Sequence, residues 1–444
     1  MLPRSLLLLL TTLLHLFTST SALGVNYGTI ADNLPSPTQV ANFIKTQTIF
    51  DSVKIFDTNP DILRAFANTG ISMTVTVGNG DIPALANTRN ARRWVANNIK
   101  PFYPQTNIKY ICVGNEILFS NNQDLINNLV PALRSLHNAL AKAGFGNIKV
   151  TTAHALNIFQ GIAVIPSLAR FRADYARSFF LPLLQFHRRT KSPFMINPYP
   201  YFTISPKTLN FAIYKLRRGV IDRHSGKLYT NMLDQLLDST YSAMNAVGYG
   251  DVDIVIGETG WPSLGDPSNV ANIDNAMSYN GNLIRELLAG KGTPLMPNRR
   301  FEAYIFALFN ENQKPGPVAE RNWGLFWPNF APVYNSGVLR NGAQTVPTPA
   351  VPAPATGKQF CVPKQGISDG QLQSNIDYIC AQGVDCSPIN PGGGCTYPNN
   401  IRDRATFAMN SYYRTRGQTF NECNFGGTGQ LTTVDPSHGS CQFL

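Results

Sequence analysis

Two glutamates stand out by what precedes them. Glu116 follows the largely apolar run from Ile108 to Asn115, and Glu258 follows Val252 to Gly257. A carboxylate at the end of a run that reads as a buried strand is costly to desolvate unless it is paired or put to use. Two of them facing a common gap are what cleavage of a glycosidic bond requires: one protonates the leaving oxygen, the other attacks the anomeric carbon. Either glutamate alone has a structural ion pair as its alternative reading; the pair at matching positions favours chemistry. Cys112, the one cysteine before residue 361, has no identifiable base near it and reads as a buried, inert thiol. The histidines lack ligand spacing, so neither a metal nor a cofactor is expected.

Eight short runs rich in Val, Ile, Tyr or Phe can carry such residues: 24–27, 53–56, 72–77, 108–113, 148–152, 194–197, 252–257 and 303–309. Helical segments separate them, such as 125–143, where Leu129, Leu133, Leu136 and Leu140 share a face. Eight strand–helix units in about 320 residues predict a (β/α)8 TIM barrel. A doubly wound sheet fits less well, because no Gly-rich phosphate turn follows the first run. In a barrel the C-terminal strand ends reach the active face. Those ends are Asn26-Tyr27, Asn115-Glu116, Asn197-Pro198-Tyr199, Glu258 and Asn310-Glu311. Strands four and seven then lie across the mouth from each other.

The rest of the chain sets the context. Arg4, the apolar stretch Leu6 to Leu14 and the small residues Thr20-Ser21-Ala22 predict a signal peptide over 1–22. A barrel domain over 23–343 follows, then a Pro/Ala/Thr linker over 344–358 and a small domain over 359–444. Six cysteines crowd that last segment: Cys361, Cys380, Cys386, Cys395, Cys423 and Cys441. Without CxxC pairs they predict a disulfide-rich α+β fold rather than a zinc site, although 15 pairings remain possible. The net charge is +11, while basic and acidic side chains balance at six each from Lys358 onward, so the excess belongs to the barrel. Its basic pairs are scattered, so nucleic acid is not expected; an acidic extracellular matrix is. No apolar tail follows Cys441, so no membrane anchor is expected. The reading is a secreted monomer of the cell wall or apoplast.

The motifs Val113-Gly114-Asn115-Glu116 and Gly257-Glu258-Thr259-Gly260-Trp261-Pro262 resemble the two signatures of glycoside hydrolase family 17, the plant endo-1,3-β-glucosidases. Gly24 to Gly28, Asn197 to Tyr201 and Phe306 to Asn312 are similar to further blocks of it. The resemblance implies that Glu116 is the general acid/base, Glu258 the nucleophile and a β-1,3-glucan the substrate. Asn115 is placed to bond the sugar 2-OH. Glu302 and Glu311 match other acidic positions and read as substrate-binding, with structural ion pairs as the alternative. Among the aromatic residues Tyr27, Tyr199 and Trp261 are candidates to line the cleft, whereas Phe309 reads as packing. The last segment resembles carbohydrate-binding module family 43. That implies the pairs Cys361–Cys423, Cys380–Cys386 and Cys395–Cys441, and leaves Tyr397, Tyr412 or Phe425 as sugar platforms. A transglycosylase and a non-catalytic glucan-binding wall protein are the competing functions.

Overall fold

The computed structural model describes residues 23–444 except 162–164, 217, 268, 341–358, 397–399, 417, 419–421, 424, 426–427, 440 and 444. The expected signal peptide, the linker and Tyr397 lie outside the described residues. The chain divides into two compact units, Met1–Val346 and Pro347–Leu444.

The first unit is a closed barrel of eight parallel strands: β1 (Leu23–Tyr27), β2 (Ser52–Ile55), β3 (Ser72–Val77), β4 (Asn107–Asn115), β5 (Lys149–His154), β6 (Phe194–Ile196), β7 (Ile254–Thr259) and β8 (Glu302–Ile305). β8 closes the ring on β1, with Ala303 opposite Leu23. Alternate residues face out and in. Val25, Val53, Val75, Ile111, Val150 and Ile256 join the core shared with the helices. Inside, Cys112, Ala153, Met195, Val255 and Tyr304, one from each of β4 to β8, pack in a cluster of their own. The Tyr304 hydroxyl crosses to Thr74 Oγ1 at 2.8 Å, so the lumen is plugged beneath its mouth.

The helix Gln123–Lys142 buries Leu129, Leu133, Leu136 and Leu140, and the side chain of Asn122 caps it by accepting from the N–H groups of Asp124 and Leu125. Two strands differ most from expectation. β7 starts at Ile254 and runs through Thr259, so Glu258 lies inside the strand. β8 stops at Ile305; beyond it Phe306 still donates to Thr259 O and Leu308 to Asn26 O, each at 2.8 Å, while Ala307 between them turns away, donating to Trp323 O at 3.0 Å and accepting from Leu325 at 2.8 Å. A small antiparallel hairpin, Val220–Asp222 with Lys227–Tyr229, was not legible in the sequence.

The second unit is α+β. The strands Phe360–Pro363 and Gly429–Thr432 pair antiparallel, and the helices Asp369–Ala381 and Ile401–Thr415 pack on each other. Disulfides join Cys361 to Cys423, Cys380 to Cys386 and Cys395 to Cys441, the pairs that the resemblance implies.

Candidate active site

Irregular pairing aims the two glutamates. The ladder of β4 with β5 slips between Cys112 and Asn115, and that of β8 with β7 slips between Ala303 and Ile305, opposite Ile256 and Thr259. Such bulges re-aim the side chains that follow them. Gly114 takes φ +68°, and a Cβ there would strike Ile82 and Ile117 at 2.7 Å. Glu116 itself is left-handed, at φ 56° and ψ 40°. That conformation costs a non-glycine residue about 1–3 kcal/mol and persists where surrounding contacts enforce it. Asn79, just beyond β3, supplies one such contact. Its Oδ1 accepts from Asn115 N at 2.8 Å while its Nδ2 donates to Asn115 O at 3.1 Å.

The end of β6 then ties the two carboxyls to one place. Asn197 Nδ2 donates to Glu116 Oε1 at 2.9 Å and lies 3.4 Å from Asn115 Oδ1. Two residues on, the Tyr199 hydroxyl donates to Glu258 Oε2 at 3.0 Å. Glu258 is buried, and its Oε1 meets Lys54 Nζ at 2.8 Å. Burial, and next the charge of Glu258, push the Glu116 carboxyl up to about 7, against the Asn197 bond that lowers it. The pair is thereby differentiated: an acid that keeps its proton almost to neutrality beside a carboxylate matched to an ammonium.

The other expected residues fall into two groups. Glu311 is at the mouth. Buried at 4% exposure, it accepts the Ile30 N–H at 2.8 Å through Oε1, and burial raises its carboxyl above the usual range. Gly28 lies so close that any side chain there would collide with this carboxylate. Asn115 is partly exposed beside Glu116.

Glu302 is a correction. It is the first residue of β8, at the opposite end of the barrel. There Oε2 accepts from Lys109 Nζ at 2.7 Å and the Tyr110 hydroxyl at 2.9 Å, and Oε1 accepts from the Tyr304 hydroxyl at 3.1 Å. It is a structural ion pair, not a sugar ligand. Trp261 is also corrected: it is fully buried, donates Nε1–H to Val270 O at 2.8 Å and packs against Tyr201 and Tyr279. Tyr27, 2% exposed, lies edge-on to Phe309, so its ring offers no face to a sugar. Tyr199 stays at the site, but as a partner of Glu258.

Three residues of the site escaped the sequence reading: Lys54, Asn79 and, as a ligand of Glu116, Asn197. For Lys54 a signal exists. It stands amid Ser52-Val53-Lys54-Ile55, in register with Asn26 on β1, at a position that alternation turns inward.

A closed parallel barrel with two differentiated carboxyls at its C-terminal mouth defines a two-carboxylate glycoside hydrolase. Within that class the chain belongs to the glycosyl hydrolases family 17, whose model matches residues 23–337; an X8 domain model matches residues 359–430. The chain is 48% identical over 436 residues to a Triticum aestivum glucan endo-1,3-beta-glucosidase, covering 95% of this chain and 94% of that one. It is 43% identical over 450 residues to the Olea europaea glucan endo-1,3-beta-D-glucosidase, covering 99% and 97%. Among solved structures, CJP38, a beta-1,3-glucanase and allergen of Cryptomeria japonica pollen, is 42% identical with a TM-score of 0.66, covering 70% of this chain and 98% of that one.

Proposed function

We propose that this protein is a secreted retaining endo-hydrolase of internal β-1,3 linkages in glucans, with a glucan-binding C-terminal domain. The observation that carries the reading is the Asn197–Tyr199 segment, whose two ends each hold one carboxyl of the pair. In the first step Glu116 gives its proton to the glycosidic oxygen as a Glu258 oxygen bonds to the anomeric carbon. The leaving sugar departs and Glu116 is left as a carboxylate. In the second step Glu116 takes a proton from water, the hydroxide attacks the anomeric carbon, and the Glu258 ester breaks. Two inversions give net retention.

The linkage and the endo action follow from family membership and from what the wheat and olive relatives are named for. The three disulfides and the basic barrel fit an oxidising, acidic extracellular matrix, and among the described residues no helix is long and apolar enough to cross a membrane. The test is Glu258→Gln assayed on laminarin with product sizing. Loss of nearly all reducing-sugar release is expected, with short oligosaccharides from the native chain. Full activity in the variant would remove Glu258 from the mechanism, and products longer than the substrate would make the protein a transglycosylase.

A further inference from the structure

We propose that Lys54 is a positioning residue for the reaction: its buried ammonium fixes the Glu258 carboxylate through one oxygen and matches the single negative charge that the Glu116–Glu258 pair carries in each step. The inference rests on the roles proposed above for the two glutamates.

Lys54 is at 0% exposure, with Nζ 2.8 Å from Glu258 Oε1 and 4.2 Å from the centroid of the Phe56 ring. A buried ammonium is expensive, and replacing a buried ion pair with apolar side chains of similar volume is often neutral or stabilising. Packing alone therefore gives no reason for a lysine here. The geometry does. Oε1 of Glu258 is held by Lys54 and Oε2 by Tyr199, which fixes the plane of the carboxylate. Each oxygen still keeps a lone pair for the anomeric carbon.

The charges balance through the cycle. At rest Glu258 is ionised, Glu116 is protonated and Lys54 is an ammonium, so the three sum to zero. When the glycosyl ester forms, the negative charge of Glu258 disappears into the ester and Glu116, having lost its proton, acquires one. The sum is again zero, and Lys54 never has to release a proton. The other ionisable groups facing the pair offer no such match. They are the Tyr199 phenol on the β6 end, the Cys112 thiol on β4, and Glu311 and Glu320 beyond β8. Burial pushes the thiol up to about 11, so it stays neutral, and the cation beside the two carboxyls, Lys314, is matched to Glu320 at 3.4 Å rather than to the pair. Lys54 is the cation that acts on Glu116, against Glu258 and Glu320.

The experiment measures kcat and KM on laminarin from pH 3.5 to 8 for the full chain and for Lys54→Gln and Lys54→Arg. Removing a preorganised electrostatic partner costs about 10²–10³ in kcat, and a loss of that size is expected in Lys54→Gln with KM changed little. Because the lost cation favoured the ionised nucleophile, the acid limb of the profile should move to higher pH. Lys54→Arg should return the limb and much of kcat. If Gln at this position prevents folding, Lys54→Met, which keeps the aliphatic length without the charge, gives the same readout. A folded neutral variant whose acid limb stays in place, with Arg no better than the neutral residue, overturns the proposal. That result leaves the function itself intact, whereas full activity in Glu258→Gln would strike the function.

Discussion

Asn197 donates its side-chain amide to the Glu116 carboxyl at 2.9 Å, and this bond works against the burial that keeps Glu116 protonated. In the mechanism proposed above Glu116 has to be an acid in the free enzyme, so kcat/KM should fall as pH rises through about 7. The Asn197 bond favours the ionised form. Asn197→Ala should therefore raise the carboxyl further and shift the basic limb to higher pH. A limb that moves down would mean that the amide holds the protonated acid instead.

The same displacement has a stability consequence of definite sign. Glu116 takes up its proton at about 7 when folded and near 4.5 when unfolded. Between those values the native state binds more protons, so its contribution to stability is full below 4.5 and is lost as pH rises to 7. Glu116→Gln should consequently raise Tm at pH 8 relative to the native chain and change it little at pH 4. At roughly 1.4 kcal/mol per pH unit the gain is at most about 3.5 kcal/mol. Activity on laminarin should fall by about 10²–10⁴. Calorimetry at the two pH values checks the first claim and a reducing-sugar assay the second.

Glu302 separates structure from chemistry at the two ends of one barrel. Glu302→Ala removes the acceptor of Lys109, Tyr110 and Tyr304. Leaving buried donors unmatched costs about 1–3 kcal/mol. The variant should unfold at lower denaturant concentration yet keep the native KM and kcat on laminarin. A changed KM would return this glutamate to the substrate.

Strand order, barrel closure and the placing of Glu116 and Glu258 at the barrel mouth were legible because each rests on local pattern: β-rich runs, helical spacing, and a glutamate at the end of an apolar run. The errors share one physical origin. Glu302 matches an acidic position of the family and reads as substrate-binding or as half of an ion pair; the ion pair is what forms, because the residue opens β8 and parallel strands send their two ends to opposite faces. The aromatics Tyr27 and Trp261 were right in place along the chain and wrong in exposure, which a large ring's type does not encode. Lys54 was missed because its partner, Glu258, lies five strands further along the chain, and a contact that only barrel closure creates has no local trace. The bulges that turn Glu116 and Glu258 inward are likewise events of strand pairing.

In the C-terminal unit the disulfides should be unequal. Cys361 and Cys423 are 62 residues apart, and Cys380 and Cys386 only 6. Loop-closure entropy gives about 4 kcal/mol for the first bridge and about 2 kcal/mol for the second. A core in a domain this small supplies few kcal/mol beyond its staples. It is built around Phe360, Leu372, Ile379, Met409 and Tyr413. Replacing Cys361 and Cys423 by Ala should therefore unfold the unit, seen as rapid proteolysis after the linker and loss of retention on insoluble β-1,3-glucan. Replacing Cys380 and Cys386 should only lower its melting temperature. In the described residues the barrel contributes only the free Cys112 and no disulfide of its own. Hydrolysis of soluble laminarin should accordingly survive both changes, and its loss would mean that the barrel depends on the small domain for its own folding.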